Sequence, residues 1–120
     1  RLFLVAGEHT EKERKQTPAE AQRVEEAIRC ILCACCTASC PVNWVREKFA
    51  GPAALLWAFR FLFDSRDEAQ AERLRHADSP DSAWGCANHF ECTRVCPRGI
   101  PVTRSINLIK REIEKKLRNR

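Results

Sequence analysis

Apolar positions recur at helical spacing in two stretches, and the first is apolar on nearly every side. It follows Gly51-Pro52 and runs from Ala53 to about Phe63. This is well short of the roughly 20 residues that span a bilayer, so it predicts a core or interface helix. Near the C-terminus a helix is predicted from about Pro101 by one aliphatic stripe: Val102, Ile106, Ile109, Ile113 and Leu117.

Polar residues mark the start of an earlier helix. The segment Thr17-Pro18-Ala19-Glu20 combines a capping threonine, a proline in the first turn and the glutamate that completes a capping box. It predicts a helix that runs to about Arg29 and delivers Cys30 at its end. Residues 1–16 are therefore interpreted as an N-terminal extension or linker, and residues 17–120 as one domain.

A charged break separates the apolar helix from the one that follows it. In Asp64-Ser65-Arg66-Asp67-Glu68, the serine and the last glutamate have the spacing of a second capping box. This predicts a charged helix to about His76, followed by a loop with a turn at Ser79-Pro80-Asp81. No strand pattern of convincing length occurs in the sequence, so the predicted fold class is all-α, with four or five helices.

Composition excludes several classes of protein and directs attention to the cysteines. The chain has 120 residues, enough for one domain, and its apolar and charged fractions of 44% and 31% are ordinary for a globular domain. The net charge of +5 is mild, and no nucleic-acid partner is predicted. Eight residues are cysteine, and they form two clusters.

The two cysteine clusters share one spacing. With Cys35 set aside, the first cluster, Cys30 to Pro41, reads C-x2-C-x2-C-x3-C-P. In two-cluster bacterial ferredoxins the first three cysteines of this run bind one iron–sulfur cluster and the fourth binds the other. The second cluster, Cys86 to Pro97, has the same spacing, but His89 replaces the second cysteine. Cys35 is interpreted as a small buried apolar residue.

Applied to both clusters, this pattern predicts that each half of the chain supplies one ligand to the other half's site. Proline after the fourth cysteine biases that cysteine away from the helix, so we expect the chain to leave the site extended and the thiol to point elsewhere. The first predicted set has four thiolates for a [4Fe–4S] cluster: Cys30, Cys33, Cys36 and Cys96. The second has three, which suits a [3Fe–4S] cluster: Cys40, Cys86 and Cys92.

The cysteines and His89 leave alternatives open. His89 either lies beside a [3Fe–4S] cluster, which we favour, or provides a nitrogen ligand to a [4Fe–4S] cluster; both predict a higher reduction potential at the second site. Four disulfides are disfavoured because adjacent Cys35 and Cys36 would strain the bridge geometry. A structural zinc module is also disfavoured, since zinc ligands usually occur as two separated pairs.

Segments without cysteine add a family resemblance to these motifs. Gly51-Pro52-Ala53-Ala54-Leu55-Leu56 and Asp64-Ser65-Arg66-Asp67-Glu68 have no cluster role that the spacing explains. Together with the first motif and Cys92 to Gly99, they resemble the iron–sulfur subunit of succinate dehydrogenase and fumarate reductase, respiratory complex II. The resemblance implies an alpha-helical ferredoxin domain with the same two ligand sets.

The resemblance also implies a function. The chain would be the electron-transfer subunit of a succinate:quinone oxidoreductase, without a catalytic acid or base of its own. It would relay electrons from the flavin of a flavoprotein subunit and a [2Fe–2S] cluster to a quinone at membrane-anchor subunits. It would lie peripherally on the inner face of the mitochondrial inner membrane or of the bacterial cytoplasmic membrane. The quinone vicinity maps onto Pro41, Trp44 and residues 87–89, His89 included.

Three departures from the family qualify this expectation. The [2Fe–2S] ferredoxin domain is not in this sequence, so a separate chain or a missing segment would supply it. Ala87 and His89 stand where many relatives have histidine and an aliphatic residue, and Trp44 stands alone where many have two tryptophans. An alternative family, the heterodisulfide reductase or glycolate oxidase type, carries a complete second motif that His89 interrupts.

Overall fold

The computed structural model describes residues 15–118, so all but two residues of the proposed extension 1–16 lie outside the described residues. Over this range the chain forms helices and no strand, and the predicted all-α fold class is confirmed. In chain order the helices are α1 (Pro18–Gln22), α2 (Glu25–Ile28), α3 (Cys35–Ser39), α4 (Pro41–Val45), α5 (Pro52–Leu62), α6 (Gln70–Ala77), α7 (Glu91–Val95) and α8 (Val102–Ile113). A 3-10 turn, Ala83–Gly85, precedes the second cysteine cluster, and a π-helical turn, Glu114–Arg118, extends α8.

The core is built mainly between α5 and α8, which pack against each other. Both helices were predicted to within one residue of their observed starts. Because their apolar residues follow the helical period, each helix presents a continuous apolar face to the other. Burying each of these side chains contributes about 1.5–3 kcal/mol. The side chains that meet in this core are all at most 6% exposed: Leu55, Leu56, Phe59, Leu62, Ile106, Ile109 and Ile113.

The predicted first helix is interrupted, and the prediction of one continuous helix to Arg29 is wrong. Its capping box is present, since Thr17 Oγ1 accepts from the Glu20 N–H at 3.2 Å and the Glu20 carboxylate accepts from the Thr17 N–H at 3.0 Å. The helix ends at Gln22, however, and the backbone turns at Val24, where φ is −115° and ψ is 3°. Val24 is only 1% exposed, so the break lets this side chain enter the core.

Helix α5 begins on a contact with α3. Gly51 has a φ of +90°, which favours glycine, and a Cβ there would lie 3.1 Å from the Thr37 Cγ2. The Thr37 hydroxyl in turn accepts a hydrogen bond from the Ala53 N–H at 3.2 Å, which satisfies one donor of the α5 N-terminus. The Gly-Pro-Ala segment therefore fixes the core helix against the helix that carries Cys36.

The charged break after α5 contains two ion pairs, Asp64–Arg66 and Asp67–Arg73, which we call the ionic corner. The predicted capping box there is wrong. Helix α6 begins at Gln70 without a side-chain cap. Asp64 instead accepts three hydrogen bonds from Arg66, one from its N–H and two from its guanidinium. Burial works to raise the pKa of Asp64, but these bonds and the Arg66 charge outweigh it and hold the pKa below its ordinary value. Asp67 accepts from the Ala69 N–H and forms a bidentate pair with Arg73.

Replacing Asp67 by alanine should destabilise the fold strongly. The Asp67 and Arg73 side chains are 0% and 5% exposed, so the variant leaves a buried guanidinium without this bidentate partner. We expect a loss of about 3–5 kcal/mol in the free energy of unfolding, measured on the full-length protein with its cofactors. The matched control is Asp81→Ala, which breaks the half-exposed Arg46–Asp81 pair and should cost about 1 kcal/mol or less. Equal losses in the two variants would contradict the structural role of the corner.

No helix within residues 15–118 combines the length and the apolar character needed to cross a bilayer.

Candidate metal centres

The two cysteine clusters have the same local backbone. The first motif recurs 56 residues later in the second, with His89 in the place of Cys33, and helix α3 recurs as helix α7, which packs against it. In each motif, two of the residues that precede the helix have a positive φ, between 56° and 64°. These residues are Leu32 and Ala34 in the first motif, and Asn88 and Phe90 in the second.

The positive φ values turn backbone amides toward the thiols. The Leu32 N–H donates to Cys30 Sγ at 3.4 Å, and the Asn88 amide lies close enough to Cys86 to act to lower the pKa of its thiol. A left-handed conformation is rare for residues other than glycine and asparagine, and is especially unusual for a bulky side chain such as Leu32. Such conformations persist where the surrounding structure imposes them, and they concentrate at functional sites. The two loops are therefore shaped by the thiols they surround.

The first cavity is lined by the four thiols of the first predicted set. Cys30, Cys33 and Cys36 come from the loop and first turn of α3, and Cys96 comes from the end of α7. Cys36 is buried, Cys30 and Cys96 are half-buried and Cys33 is exposed. Most of the remaining wall is apolar and comes from several elements: Ile31, Leu32, Ala53, Leu56, Ile100 and Val102.

The second cavity is lined by the three thiols of the second predicted set. Cys86 and Cys92 belong to the second motif, and Cys40 comes from the first. Burial raises the pKa of the Cys86 thiol, while the nearby Lys110 acts to lower it. The Lys110 ammonium donates to the Cys86 carbonyl oxygen at 3.0 Å, so a positive charge lies at the edge of this site.

Each cavity contains one cysteine from the other motif, and the backbone at the fourth cysteine of each motif accounts for this exchange. Cys40 and Cys96 both have extended backbones with ψ of 117°, as the following proline predicts. The chain does not continue extended, because Pro41 immediately starts α4 as its first residue. The single extended residue is enough to direct each thiol away from its own helix. The structure thus groups Cys96 with the first motif and Cys40 with the second.

Cys35 differs from its prediction. It is exposed rather than buried, and its backbone N–H and thiol both hydrogen-bond Cys33. These bonds hold the pKa of Cys33 below its ordinary value, while the bond to Cys33 raises the pKa of Cys35. Successive helical residues point about 100° apart, so burial of Cys36 turns Cys35 outward.

The residues predicted near a quinone are divided between two places. Pro41 and His89 line the second cavity, and His89 is exposed to solvent. Trp44 does not line it; its side chain is 69% exposed on α4, and its indole N–H donates to the Ala38 carbonyl at 2.6 Å. Phe90 is also exposed, so apolar side chains lie at the surface close to this cavity.

Two side chains that form hydrogen bonds with cysteine sulfur were not predicted from the sequence. The Trp57 indole N–H donates to Cys30 Sγ at 3.3 Å; within an apolar helix this tryptophan reads as core, so no signal distinguished it. Thr103 lies 3.1 Å from Cys92 Sγ and is 1% exposed. The Thr93 hydroxyl donates to Thr103 Oγ1 at 3.0 Å, so Thr103 is held in place beside the sulfur, and either Thr103 or the Cys92 thiol can donate in the bond between them. The sequence did contain a signal for this contact: Thr103 is a polar residue one turn before Ile106, among the buried aliphatic residues of α8.

The donors in the two cavities suit iron–sulfur clusters. Thiolates are soft ligands, and cysteine thiolates are the residues that hold such clusters. Four thiols line the first cavity and three line the second, so the residues present fit iron–sulfur clusters.

Comparison with known proteins places the chain in a family. The family model described as "4Fe-4S dicluster domain" matches residues 26–100. A succinate dehydrogenase iron-sulfur subunit of Coxiella burnetii is 42% identical over 107 residues, which are 88% of this chain and 46% of the relative. The mitochondrial succinate dehydrogenase [ubiquinone] iron-sulfur subunit 3 of Arabidopsis thaliana is 44% identical over 91 residues, covering 74% of this chain and 29% of the relative. The chain thus spans less than half the length of these relatives.

The resemblance inferred from the motifs is therefore confirmed, and the chain belongs to the 4Fe-4S dicluster domain family, with the iron–sulfur subunits of succinate dehydrogenase among its relatives.

Proposed function

We propose that this chain is the electron-transfer part of a succinate:quinone oxidoreductase. In this proposal one set of thiols holds a [4Fe–4S] cluster: Cys30, Cys33, Cys36 and Cys96. The other holds a [3Fe–4S] cluster: Cys40, Cys86 and Cys92. The observation that carries the proposal is the grouping of these thiols around two cavities, each with one cysteine from the other half of the chain.

The residues of the chain would hold the two sites close together and limit the access of water to the inner side of the first. Bound iron–sulfur clusters supply one-electron transfer. Cys36 on α3 and Cys92 on α7 are close enough for their charges to interact, so the paired helices form a common wall between the sites. Apolar residues such as Leu56 and Val102 exclude water from the first site, which limits the reorganisation that electron transfer requires.

The chemistry of the second site favours its use as the later stop. It offers three thiolates rather than four, and Lys110 places a positive charge against the Cys86 carbonyl. Both features favour an added electron, because they reduce the negative charge that already surrounds it. Electrons would therefore move from the Cys30 site toward the Cys86 site.

The exposed apolar residues beside the second site suggest where the relay would deliver its electrons. Trp44, Val45 and Phe90 have side chains between 57% and 82% exposed. Such side chains suit contact with membrane-anchor subunits and a quinone, and Pro41 and His89 line the same cavity as Phe90. We propose further that a flavoprotein subunit and a [2Fe–2S] domain outside this chain supply the electrons, and that the assembly lies peripherally on the membrane.

Electron paramagnetic resonance of the full-length protein, purified with its accompanying subunits, tests this function. A [3Fe–4S] cluster has an odd electron when oxidised, so the oxidised protein should give its signal, and a [4Fe–4S] signal should appear on reduction. Iron and acid-labile sulfide should match one [4Fe–4S] and one [3Fe–4S] cluster in addition to the [2Fe–2S] cluster of the accompanying domain. Zinc without sulfide would overturn the proposal, and two four-iron clusters would favour the heterodisulfide reductase type or a His89 ligand.

A further inference from the structure

Trp57 lies on the core helix α5 and reaches the first cysteine motif. Its indole N–H donates to Cys30 Sγ at 3.3 Å. The ring is half-buried, the Arg60 guanidinium lies 4.7 Å from its centroid, and the Phe61 ring packs beside it at 5.9 Å. An indole N–H can only donate, so the direction of the hydrogen bond is fixed and the ring is held in place to make it.

The sulfur that accepts this bond belongs to the proposed four-thiolate site. A hydrogen bond to a ligand sulfur stabilises negative charge on that sulfur, and the reduced form of a cluster carries one more negative charge than the oxidised form. The bond is therefore stronger after reduction, and it raises the reduction potential. The Leu32 N–H also donates to Cys30, but that bond comes from the backbone of the cysteine loop itself, whereas the indole is a side-chain contribution from α5.

We propose that Trp57 is a positioning residue of the electron relay, raising the reduction potential of the first cluster through its N–H···S bond to Cys30. The inference rests on the proposed function in one respect, that Cys30 binds the first cluster. It adds that helix α5, and not the cysteine loop alone, determines the reduction potential of the first cluster.

Trp57→Phe is the direct test because it removes the N–H and retains an aromatic ring. In the full-length protein with its accompanying subunits, we expect the equilibrium constant for reduction of the first cluster to fall about tenfold, which is about 59 mV for a one-electron couple. The measurement is a redox titration followed by electron paramagnetic resonance. The potential of the second cluster, read in the same titration, should not change.

Trp84→Phe is the matched control. Its indole N–H donates to Asp78 at 2.7 Å, on the side of the second motif, so the same substitution there should leave the potential of the first cluster unchanged. A first-cluster potential that is equal in wild type and Trp57→Phe would overturn the inference, as would an equal fall in both tryptophan variants.

A second measurement requires no variant. With tryptophan labelled by ¹⁵N in the indole ring, pulsed electron paramagnetic resonance of the reduced first cluster should show a hyperfine coupling to one indole nitrogen. Absence of that coupling in the wild type would overturn the inference even if Trp57→Phe failed to assemble. The two levels of the proposal fail differently: a wild type without a four-iron cluster rejects the proposed function, whereas an intact cluster without the coupling rejects only the role of Trp57.

Discussion

Replacing Cys96 by alanine should abolish the [4Fe–4S] cluster and spare the [3Fe–4S] cluster, although Cys96 lies in the second motif. The thiol shares a cavity with Cys30, Cys33 and Cys36. Losing one of four thiolates opens the cluster to water and should remove its signal from the reduced protein. The signal of the oxidised protein should persist, because the second cavity keeps all three of its thiols.

Cys40→Ala should have the reciprocal effect. It lies in the first motif but lines the second cavity, so the oxidised signal should disappear and the reduced four-iron signal should remain. Cys35→Ala is the matched control, since this exposed thiol lines neither cavity and its loss should leave both signals. The opposite result, in which Cys96→Ala removes the oxidised signal alone, would mean that each motif binds its own cluster.

Replacing His89 by cysteine should convert the second cluster to [4Fe–4S]. Position 89 corresponds to Cys33 through the 56-residue repeat, and like Cys33 it is exposed and lines its cavity. A fourth thiolate could then hold a fourth iron. Because the added ligand is negatively charged, the reduction potential should fall, by an amount on the order of several hundred mV. Loss of the oxidised [3Fe–4S] signal, followed by redox titration, measures both effects.

Two further variants make the His89 result interpretable. His76→Cys places a thiol at another exposed histidine, on α6, and should leave the spectrum unchanged. His89→Ala separates the two interpretations of the histidine: the cluster type stays the same if His89 is only a neighbour, and changes if His89 is a ligand. A [3Fe–4S] cluster is a cube that lacks one iron. An oxidised spectrum unaffected by His89→Cys would show that this side chain does not face the position of the missing iron.

The long helices and the grouping of the thiols around the two cavities were predictable because both depend on spacing along the chain; the cluster ligands themselves stay a prediction. The aliphatic stripe from Val102 and the apolar run from Ala53 specify α8 and α5, and the core forms between them. The proline that follows Cys40 and the one that follows Cys96 predict the extended backbone of these two cysteines, which directs each thiol away from its own helix. These signals are local, so no knowledge of the tertiary structure was needed to interpret them.

The short helices and the interrupted first helix were not predictable in the same way. Helices α3, α4 and α7 have five residues each, too few to show a period and too few to be stable alone. Tertiary packing around the thiols determines them. The same cause ends α1 at Gln22, where the burial of Val24 outweighs continued helical hydrogen bonding.

The charged corner shows why a local motif can mislead. Ser65 and Glu68 have the spacing of a capping box. The observed interactions in this segment are instead the ion pairs of buried Asp64 with Arg66 and of buried Asp67 with Arg73. A buried carboxylate with a bidentate arginine gains more than an exposed serine hydroxyl at a helix end. Contacts that join residues distant in sequence, such as Trp57 with Cys30, leave no comparable trace in the spacing.

The grouping of Cys96 with Cys30 has a consequence for biosynthesis. On the proposed assignment, the sulfur that completes the earlier site is translated some sixty positions after its three companions. A ribosome that has released only the first motif has therefore made an incomplete binding site. Loading of iron and sulfide would wait until Cys96 has emerged, and a product truncated before Cys96 would be left with reactive thiols and no inorganic centre to protect them.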